Sequence, residues 1–421
     1  MLLCPASYRF FGEMSKDFDY LKGLAARIRS LTVFRALKSD PVVSAVLDYL
    51  DACQCESAEL AVEKYCGIAA ELFERGEDDL GAYIRGIAGD DENVYMRGMG
   101  KQNAVSRVIS ECAVRELDIL QEIADLDRKV LCQGLEYSGY LPEWNNKGTK
   151  IAEYYAERTN NIGKYGYGIY ARFHMFCLSD DGEIIPVKYP DEVRLSELID
   201  YKREQGIIIE NTKALLSGLP AANILLTGDA GTGKSSTVKA VVNEFYTEGL
   251  RIIEIRKDQL KLIPGILDQL TQNPLKFIIF VDDLSFKEND DNFSALKAIL
   301  EGSVSARSQN VVIYATSNRR HMVKEKFADR EGDEIHVNDS IQETVSLSER
   351  FGLHVTFNRP DKATYLDIVH HLADAHGIEY DEKLIDLAAE QYIILRGSTR
   401  SARAAKQFVD GLIAGQDVKI K

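Results

Sequence analysis

The sequence contains no apolar run that approaches the roughly 20 residues needed for a membrane-spanning helix. Its N-terminus lacks the basic start and the long apolar core of a signal peptide. No cysteine follows Cys177, and the odd total of seven does not suggest a disulfide framework. Cys53 and Cys55 form a C-x-C pair, but no second pair stands at zinc spacing, which favours buried free thiols. These absences predict a cytoplasmic protein with reduced thiols and no membrane partner.

Basic residues are outnumbered. The chain has 51 Lys and Arg against 66 Asp and Glu, and its formal net charge is -15. Most of the acidic excess lies in residues 1–200, which hold 34 acidic and 23 basic residues. A protein whose whole surface binds nucleic acid has the opposite balance. The charge therefore does not indicate a nucleic-acid partner, although it leaves room for a local contact.

The first part of the chain is expected to be helical. Apolar residues recur at helical spacing through residues 1–160, which favours stripes that pack against each other in a helical bundle. We also expect this N-terminal domain to bind a protein partner. The segment from 136 to 170 is rich in Tyr, Asn and Gly and holds the only tryptophan, Trp144. Two interpretations stay open for it: a linker whose aromatics pack on a neighbouring domain, or aromatics that stack on bases. Residues 161–192, with a turn at 180–182, are interpreted as a β-hairpin linker.

The strongest local pattern is GDAGTGKSS, which runs from Gly228 to Ser236 and fits G-x-x-x-x-G-K-[ST]. It follows the apolar run NILL and precedes a helical segment, as a phosphate-binding loop requires. Backbone N–H groups and the helix N-terminus are expected to hold phosphate oxygens, with Lys234 on the β- and γ-phosphates and Ser235 on Mg²⁺. The predicted nucleotide-binding residues are Gly228, Asp229, Ala230, Gly231, Thr232, Gly233, Lys234, Ser235 and Ser236.

Acidic and polar residues follow two further apolar strands. In FVDD, Asp282 stands at the end of a strand and is the expected Mg²⁺ partner, and Asp283 is the expected acid that polarises the attacking water. The strand ATSN ends in Thr316, Ser317 and Asn318, and a polar residue at this strand end can orient that water or contact the γ-phosphate. The carboxyl ends of parallel strands meet at one edge of a sheet, where ligands bind. A GTPase is not indicated, because SNRR does not supply the Asn-Lys-x-Asp signature that reads guanine.

The ordered motifs GDAGTGKSS, FVDD, ATSN, SERF and GSTR resemble those of AAA+ ATPases over about residues 165–415. The resemblance implies a P-loop NTPase core of parallel α/β structure at 193–359 and a helical lid at 360–421. It also implies that Asn318 is sensor 1, that Arg350 is an arginine finger which reaches the neighbouring subunit, and that Arg400 or Arg403 is sensor 2. An ATPase with ATP and Mg²⁺, working as a homo-oligomer such as a hexamer, is the implied activity.

More narrowly, NTKALLSGLPAANILLTGDAGTGKSSTVKA, LKAILEG and IYATSNRRH resemble a bacterial family of uncharacterised AAA+ ATPases, while VDDLSF and SERFGL are similar to replication initiators and helicase loaders. Many AAA+ proteins have Glu where this chain has Asp283, whose carboxylate reaches less far. Three functions stay open: remodelling or loading of an unknown partner driven by hydrolysis, a nucleotide-dependent switch or loader with slow turnover, and an ATP-binding module without hydrolysis.

Overall fold

The protein is described here by a computed structural model, in two compact units, Met1–Arg172 (unit 1) and Phe173–Lys421 (unit 2). The described residues are 20–54, 57–101, 105–132, 135, 137–284, 296–297, 299–300, 309–318 and 349–415. Cys4, Cys55 and the last three residues of IYATSNRRH lie outside them. Among the helices that are described, none has the length and apolar character needed to cross a membrane.

Unit 1 is helical in its described part. Its helices are α1 (20–29), α2 (Pro41–Ala52), α3 (Ala58–Glu74), α4 (Leu80–Asp90), α5 (Val94–Gly100), α6 (Arg107–Ala124), α7 (Arg128–Leu131), α8 (Ile151–Asn160), α9 (Ile162–Tyr165) and α10 (Ile169–Arg172). Most of them begin at a short polar residue whose side chain accepts N–H groups of the first turn. These N-caps are Asp40, Ser57, Asp79, Asn93, Ser106 and Asp127. The helices bury one continuous apolar core.

The aromatic segment belongs to this core. The Trp144 ring stacks on Tyr65 with 5.3 Å between ring centroids, and its indole nitrogen donates to the Leu126 carbonyl. Tyr155 of α8 is buried and meets Phe34 edge to face. Trp144 and Tyr155 therefore pack inside unit 1 and not on a neighbouring domain, whereas Tyr137 and Tyr140 of the same segment are exposed.

A buried carboxylate joins the segment after α1 to α6. Glu116 is only 5% exposed and accepts backbone N–H bonds from Thr32, Val33 and Phe34 at 2.7 to 3.2 Å. These three residues directly precede the 3-10 helix Arg35–Ser39. A carboxylate that accepts several N–H bonds satisfies donors that would otherwise be buried without a partner. Glu116 thus fixes the segment between α1 and the 3-10 helix against α6.

Unit 2 contains a mostly parallel sheet. Its strands are β1 (Met175–Leu178), β2 (Ile184–Pro186), β3 (Ile224–Gly228), β4 (Leu250–Ile255), β5 (Lys276–Val281), β6 (Val311–Ser317) and β7 (Leu353–Phe357). They lie in the order β2-β1-β4-β5-β6-β3-β7, and the pairs from β1 to β7 are parallel. The helices between them are α11 (Lys202–Leu216), α12 (Lys234–Phe245) and α13 (Ile263–Leu270). The inner strands are buried almost throughout, as expected for a parallel sheet covered on both faces.

The predicted hairpin is present, but it is part of the sheet. β1 and β2 pair antiparallel around a turn that contains Gly182, and β1 pairs in parallel with β4. The expected hairpin linker 161–192 therefore spans two structures, because its first residues form α9 and α10 of unit 1. The division of the chain after Arg172 differs from the expected boundaries at 160 and 192.

A small helical cluster follows the sheet. Its helices are α14 (Lys362–Ala375), α15 (Glu382–Arg396) and α16 (Ala402–Ile413). Asp361, Asp381 and Ser401 cap their N-termini through side-chain oxygens. A core of its own holds the three helices together, with Tyr365 and Phe408 fully buried. We call this cluster the lid.

Replacing Glu116 by Gln should lower the free energy of unfolding by about 1–3 kcal/mol, because the amide nitrogen cannot accept the buried N–H groups. Urea unfolding followed by Trp144 fluorescence measures this, since the single tryptophan reports on unit 1. Glu111→Gln on the same helix is the control. Glu111 pairs with Arg107 on the solvent side and should shift the midpoint little. Equal midpoints for the two variants would refute the role given to Glu116.

Candidate nucleotide-binding site

The loop between β3 and α12 has a backbone that only glycine adopts easily. Gly228, Gly231 and Gly233 have φ angles of 143°, 80° and 90°. A Cβ atom at Gly228 would also collide with the Phe357 carbonyl on the neighbouring β7. The Thr232 hydroxyl donates to the Asp229 carbonyl at 2.9 Å and fixes the turn. The glycine spacing of the sequence is thus explained by backbone conformation and by close approach.

This loop ends at a helix N-terminus. α12 begins at Lys234, and the first N–H groups of a helix have no acceptor within it. The N–H of Thr237 already bonds to the Gly233 carbonyl at 2.8 Å, which leaves those of Lys234, Ser235 and Ser236 for other acceptors. Convergent N–H groups and the positive end of the helix dipole suit an anion. A phosphate fits the chemistry of this loop.

Lys234 stands at the centre of the site. Its side chain is buried, and its ammonium donates to the carbonyls of Gly228 and Asp229 at 3.0 and 2.7 Å and to Asn318 Oδ1 at 3.0 Å. Burial lowers the pKa of Lys234, and the charges of Asp282, Asp229 and Asp283 act in the opposite direction. The structure therefore brings together Lys234 and Asn318, which are 84 residues apart in sequence.

The hydroxyl of Ser235 donates to Asp282 Oδ1 at 2.6 Å. The same carboxylate oxygen accepts from the Thr316 hydroxyl at 2.5 Å. Hydroxyl and carboxylate oxygens are the ligands that Mg²⁺ prefers, usually with several waters retained. Ser235 and Asp282 are both accessible to solvent, and this pair suits a hydrated divalent cation beside a bound phosphate.

Asp283 has a left-handed backbone, with φ of 51°. Its N–H donates to the Thr316 hydroxyl at 2.9 Å, and its Oδ1 accepts from Asn318 Nδ2 at 2.7 Å. Asn318 thus bridges Lys234 and Asp283, with one end of its amide on each. The left-handed backbone conformation of Asp283 is uncommon outside glycine, and among other residues Asn and Asp tolerate it best. The expected acid therefore lies next to the lysine, held by the predicted sensor residue.

Arg350 lies elsewhere. It is partly buried and stands just before β7, whose first residue Leu353 pairs with Ile224 at the beginning of β3. Gly352 packs against Ala222, which also precedes β3. The phosphate loop leaves the other end of β3, about 13 Å away along the strands. The structure does not bring Arg350 to the phosphate loop of its own chain.

The two candidate lid arginines differ in position. Arg400 forms a two-pronged ion pair with Glu390 at 2.9 and 2.8 Å, inside the lid. Arg403 is exposed in the first turn of α16, and its N–H donates to the Gly231 carbonyl at 3.2 Å. A Cβ atom at Gly231 would meet Ser401 and Arg403 at 3.1 Å. Of the two arginines, Arg403 is therefore the one beside the phosphate loop.

Sequence reasoning missed some neighbours of the site. Arg359, two residues beyond β7, pairs with Asp229 of the loop at 3.6 Å, and Ser401 of the lid lies against Gly231. Thr316 is one of the polar residues at the end of the ATSN strand, but the sequence does not show that it bonds to both acids. The signal for Arg359 was its place just after a strand parallel to β3. No sequence pattern places Ser401, because its position depends on how the lid packs.

The family model described as "Protein of unknown function (DUF815)" matches residues 171–416. Comparison with curated proteins found no match. Among solved structures, the Thermotoga maritima RuvB Holliday junction branch migration motor is 12% identical, with a TM-score of 0.32 over 52% of this chain and 72% of that chain. The structure of an E. coli MS115-1 HORMA:CdnC:Trip13 complex is also 12% identical, with a TM-score of 0.36 over 53% of this chain and 92% of that chain.

The family match covers more than half of the chain, and it takes in the whole sheet and the lid. The phosphate loop after β3, the acids after β5 and the polar end of β6 form one edge of a parallel sheet, as in a P-loop NTPase. The chain therefore belongs to the DUF815 family, and its unit 2 has the fold of a P-loop NTPase.

Proposed function

We propose that this protein binds ATP with Mg²⁺ and hydrolyses it to drive remodelling or loading of a protein partner. One observation carries the proposal: Lys234, the Ser235–Asp282 pair and the Asp283–Asn318 pair meet within hydrogen-bond distance at one edge of the sheet. An anion-binding loop beside a cation-binding pair suits a nucleotide triphosphate with its metal.

The residues of the loop take distinct roles. The N–H groups at the start of α12 and the Lys234 ammonium bind phosphate oxygens, and they supply positive charge where negative charge develops. Ser235 and Asp282 hold the metal, directly or through water. Mg²⁺ bound there would neutralise negative charge on the phosphates.

Asp283 orients and polarises the attacking water, and Asn318 keeps that carboxylate beside the phosphate site. In the part of the chain that the structure describes, only the Asn318 amide forms hydrogen bonds to both Lys234 and Asp283. Because aspartate is one methylene shorter than glutamate, a slow switch is the second candidate function. The bond from Asn318 Nδ2 to Asp283 favours it, since the acid is already occupied.

Arg350 is proposed to act on the nucleotide of a neighbouring subunit. Its place before β7, away from the phosphate loop of its own chain, supports a role in trans. Hydrolysis then requires a homo-oligomer, because each site lacks its finger until the next subunit arrives. An arginine supplied in this way stabilises charge in the transition state.

Unit 1 is proposed to bind the partner, since its described helices carry no part of the nucleotide site.

The segment after β4 supports an action other than threading of a polypeptide through the oligomer. Ile263 is fully buried and begins α13, and no aromatic residue stands in Ile263–Pro264–Gly265 to grip a threaded chain. The expected boundaries of core and lid at 193–359 and 360–421 remain part of this proposal.

Turnover per subunit should rise with protein concentration in the wild type and vanish in Lys234→Ala, since the variant loses the cation that holds the phosphates. Phosphate release at a series of protein concentrations measures this. Lys239→Ala, five residues further along α12 and paired with Glu254, is the control and should keep turnover. Tight ATP binding without turnover at any protein concentration would refute the proposed hydrolysis and would support an ATP-binding module that does not hydrolyse ATP.

Arg350→Ala should keep ATP binding and lose turnover, by about 10³-fold or more for an arginine finger. Mixing it with Lys234→Ala should restore part of the activity, because one subunit then offers an intact site and the other an intact finger. Nucleotide affinity and phosphate release are measured for each variant and for the mixture. If Arg350→Ala alone turns over normally, the role in trans is wrong.

Arg403→Ala should weaken ATP binding by about 10-fold, the equivalent of one lost charged hydrogen bond. Arg400→Ala should instead lower the thermal stability, because Glu390 loses its partner in the lid. A fluorescent ATP analogue reports affinity, and Lys406→Ala on the exposed side of α16 is the common control. A larger affinity loss for Arg400→Ala would reverse the assignment.

A further inference from the structure

Thr316 bonds to both acids of the site. It is the second-last residue of β6 and only 2% exposed. Its hydroxyl donates to Asp282 Oδ1 at 2.5 Å and accepts the N–H of Asp283 at 2.9 Å. The two bonds use the hydroxyl in opposite senses, once as donor and once as acceptor. Only a hydroxyl among the small side chains does both.

We propose that Thr316 is a positioning residue that sets the relative orientation of the metal-binding carboxylate and of the acid that acts on water. The proposal rests on the proposed ATPase function, and it names a further residue of that same site. Thr316 itself touches neither phosphate nor metal in this assignment, and acts through Asp282 and Asp283.

The register of the sheet explains why Thr316 reaches both acids. Val281, the last residue of β5, pairs with Ala315 of β6, so the next residue of each strand lies side by side. The Thr316 carbonyl accepts the N–H of Leu284 at 2.6 Å, which closes the turn after β5. One residue of β6 thus holds three consecutive residues, from 282 to 284, by backbone and side chain together.

The first consequence concerns the metal pair. Asp282 Oδ1 accepts from Thr316, from Ser235 and from the N–H of Asp283 at 3.1 Å. A carboxylate fixed by several donors cannot rotate freely, and such supporting bonds orient metal ligands. Without the Thr316 hydroxyl, Asp282 keeps fewer restraints and should bind a divalent cation less tightly.

The second consequence concerns the acid. The left-handed backbone of Asp283 costs conformational energy, and the surrounding structure must maintain it. The Thr316 hydroxyl accepts its N–H at 2.9 Å, closer than Asp282 Oδ1 at 3.1 Å, and so stabilises this conformation. Loss of the hydroxyl should release Asp283 from the orientation in which its carboxylate meets Asn318. Turnover should then fall while phosphate binding, which depends on the loop and Lys234, persists.

The experiment compares Thr316→Val, which keeps the branched shape without the hydroxyl, with Thr316→Ser, which restores the hydroxyl. Thr212→Val is the matched control, since Thr212 is equally buried and its hydroxyl bonds to Ile208 and Tyr314 away from the acids. The readouts are kcat and KM for ATP, affinity for a fluorescent ATP analogue without metal, and Mn²⁺ binding followed by electron paramagnetic resonance in the presence of ADP.

Thr316→Val should lower kcat and Mn²⁺ affinity by about 10–100-fold, the usual effect of removing a partner of a metal ligand. Metal-free nucleotide affinity should stay at the wild-type value, and Thr316→Ser should recover most of both losses. Thr212→Val should behave as the wild type in all readouts. If Thr316→Val does not fold, as judged by circular dichroism, Thr316→Ala takes its place.

Wild-type kcat and Mn²⁺ affinity in Thr316→Val would overturn the proposal, and so would a Thr316→Ser variant as impaired as Thr316→Val. An equal loss in Thr212→Val would assign the effect to any buried hydroxyl and also overturn it. If the wild type binds Mn²⁺ with ADP but never hydrolyses ATP, the proposed hydrolysis fails by itself, and the Mn²⁺ affinities decide on Thr316. If the wild type binds no Mn²⁺, the positioning role fails as well.

Discussion

The parallel pairing of β6 with β3 on one side and β5 on the other is the constraint on which the candidate site depends. It brings the end of β6 between the phosphate loop and the two acids. Side chains alternate along a strand, so a shift of one residue would turn Thr316 to the opposite face. The Lys234–Asn318–Asp283 chain of hydrogen bonds exists because both strand pairs keep their register.

The site carries its charges in a connected group. A buried ammonium is expensive unless it is hydrogen-bonded and faced by negative charge. Lys234 has three oxygen acceptors, and three aspartates act on it electrostatically. Asn318 adds a neutral link to one of them, so that cation and acid lie close without a direct ion pair. This arrangement keeps donors and acceptors available at the surface where a phosphate fits.

The sequence predicted the parts of the site that depend on local pattern. The phosphate loop, the acids after β5 and the polar end of β6 follow apolar runs, and the expected parallel α/β fold of a P-loop NTPase was confirmed. The roles of the individual residues stay predictions. The choice between Arg400 and Arg403 was not predictable, because both lie at one turn of the lid and only tertiary packing separates them. The same holds for Trp144, whose place in a helical core left no periodic signal.

The Gly231 peptide group belongs to the phosphate loop, and its carbonyl accepts a hydrogen bond from the Arg403 N–H. Arg403 lies in the first turn of a lid helix, so this one peptide group contacts the lid as well as the phosphate site. Free-energy coupling between two sites is reciprocal, so whatever tightens the loop must act on the lid by the same amount as the lid acts on the loop. Movement of this peptide group is therefore one way in which the phosphate loop and the lid would change each other's position.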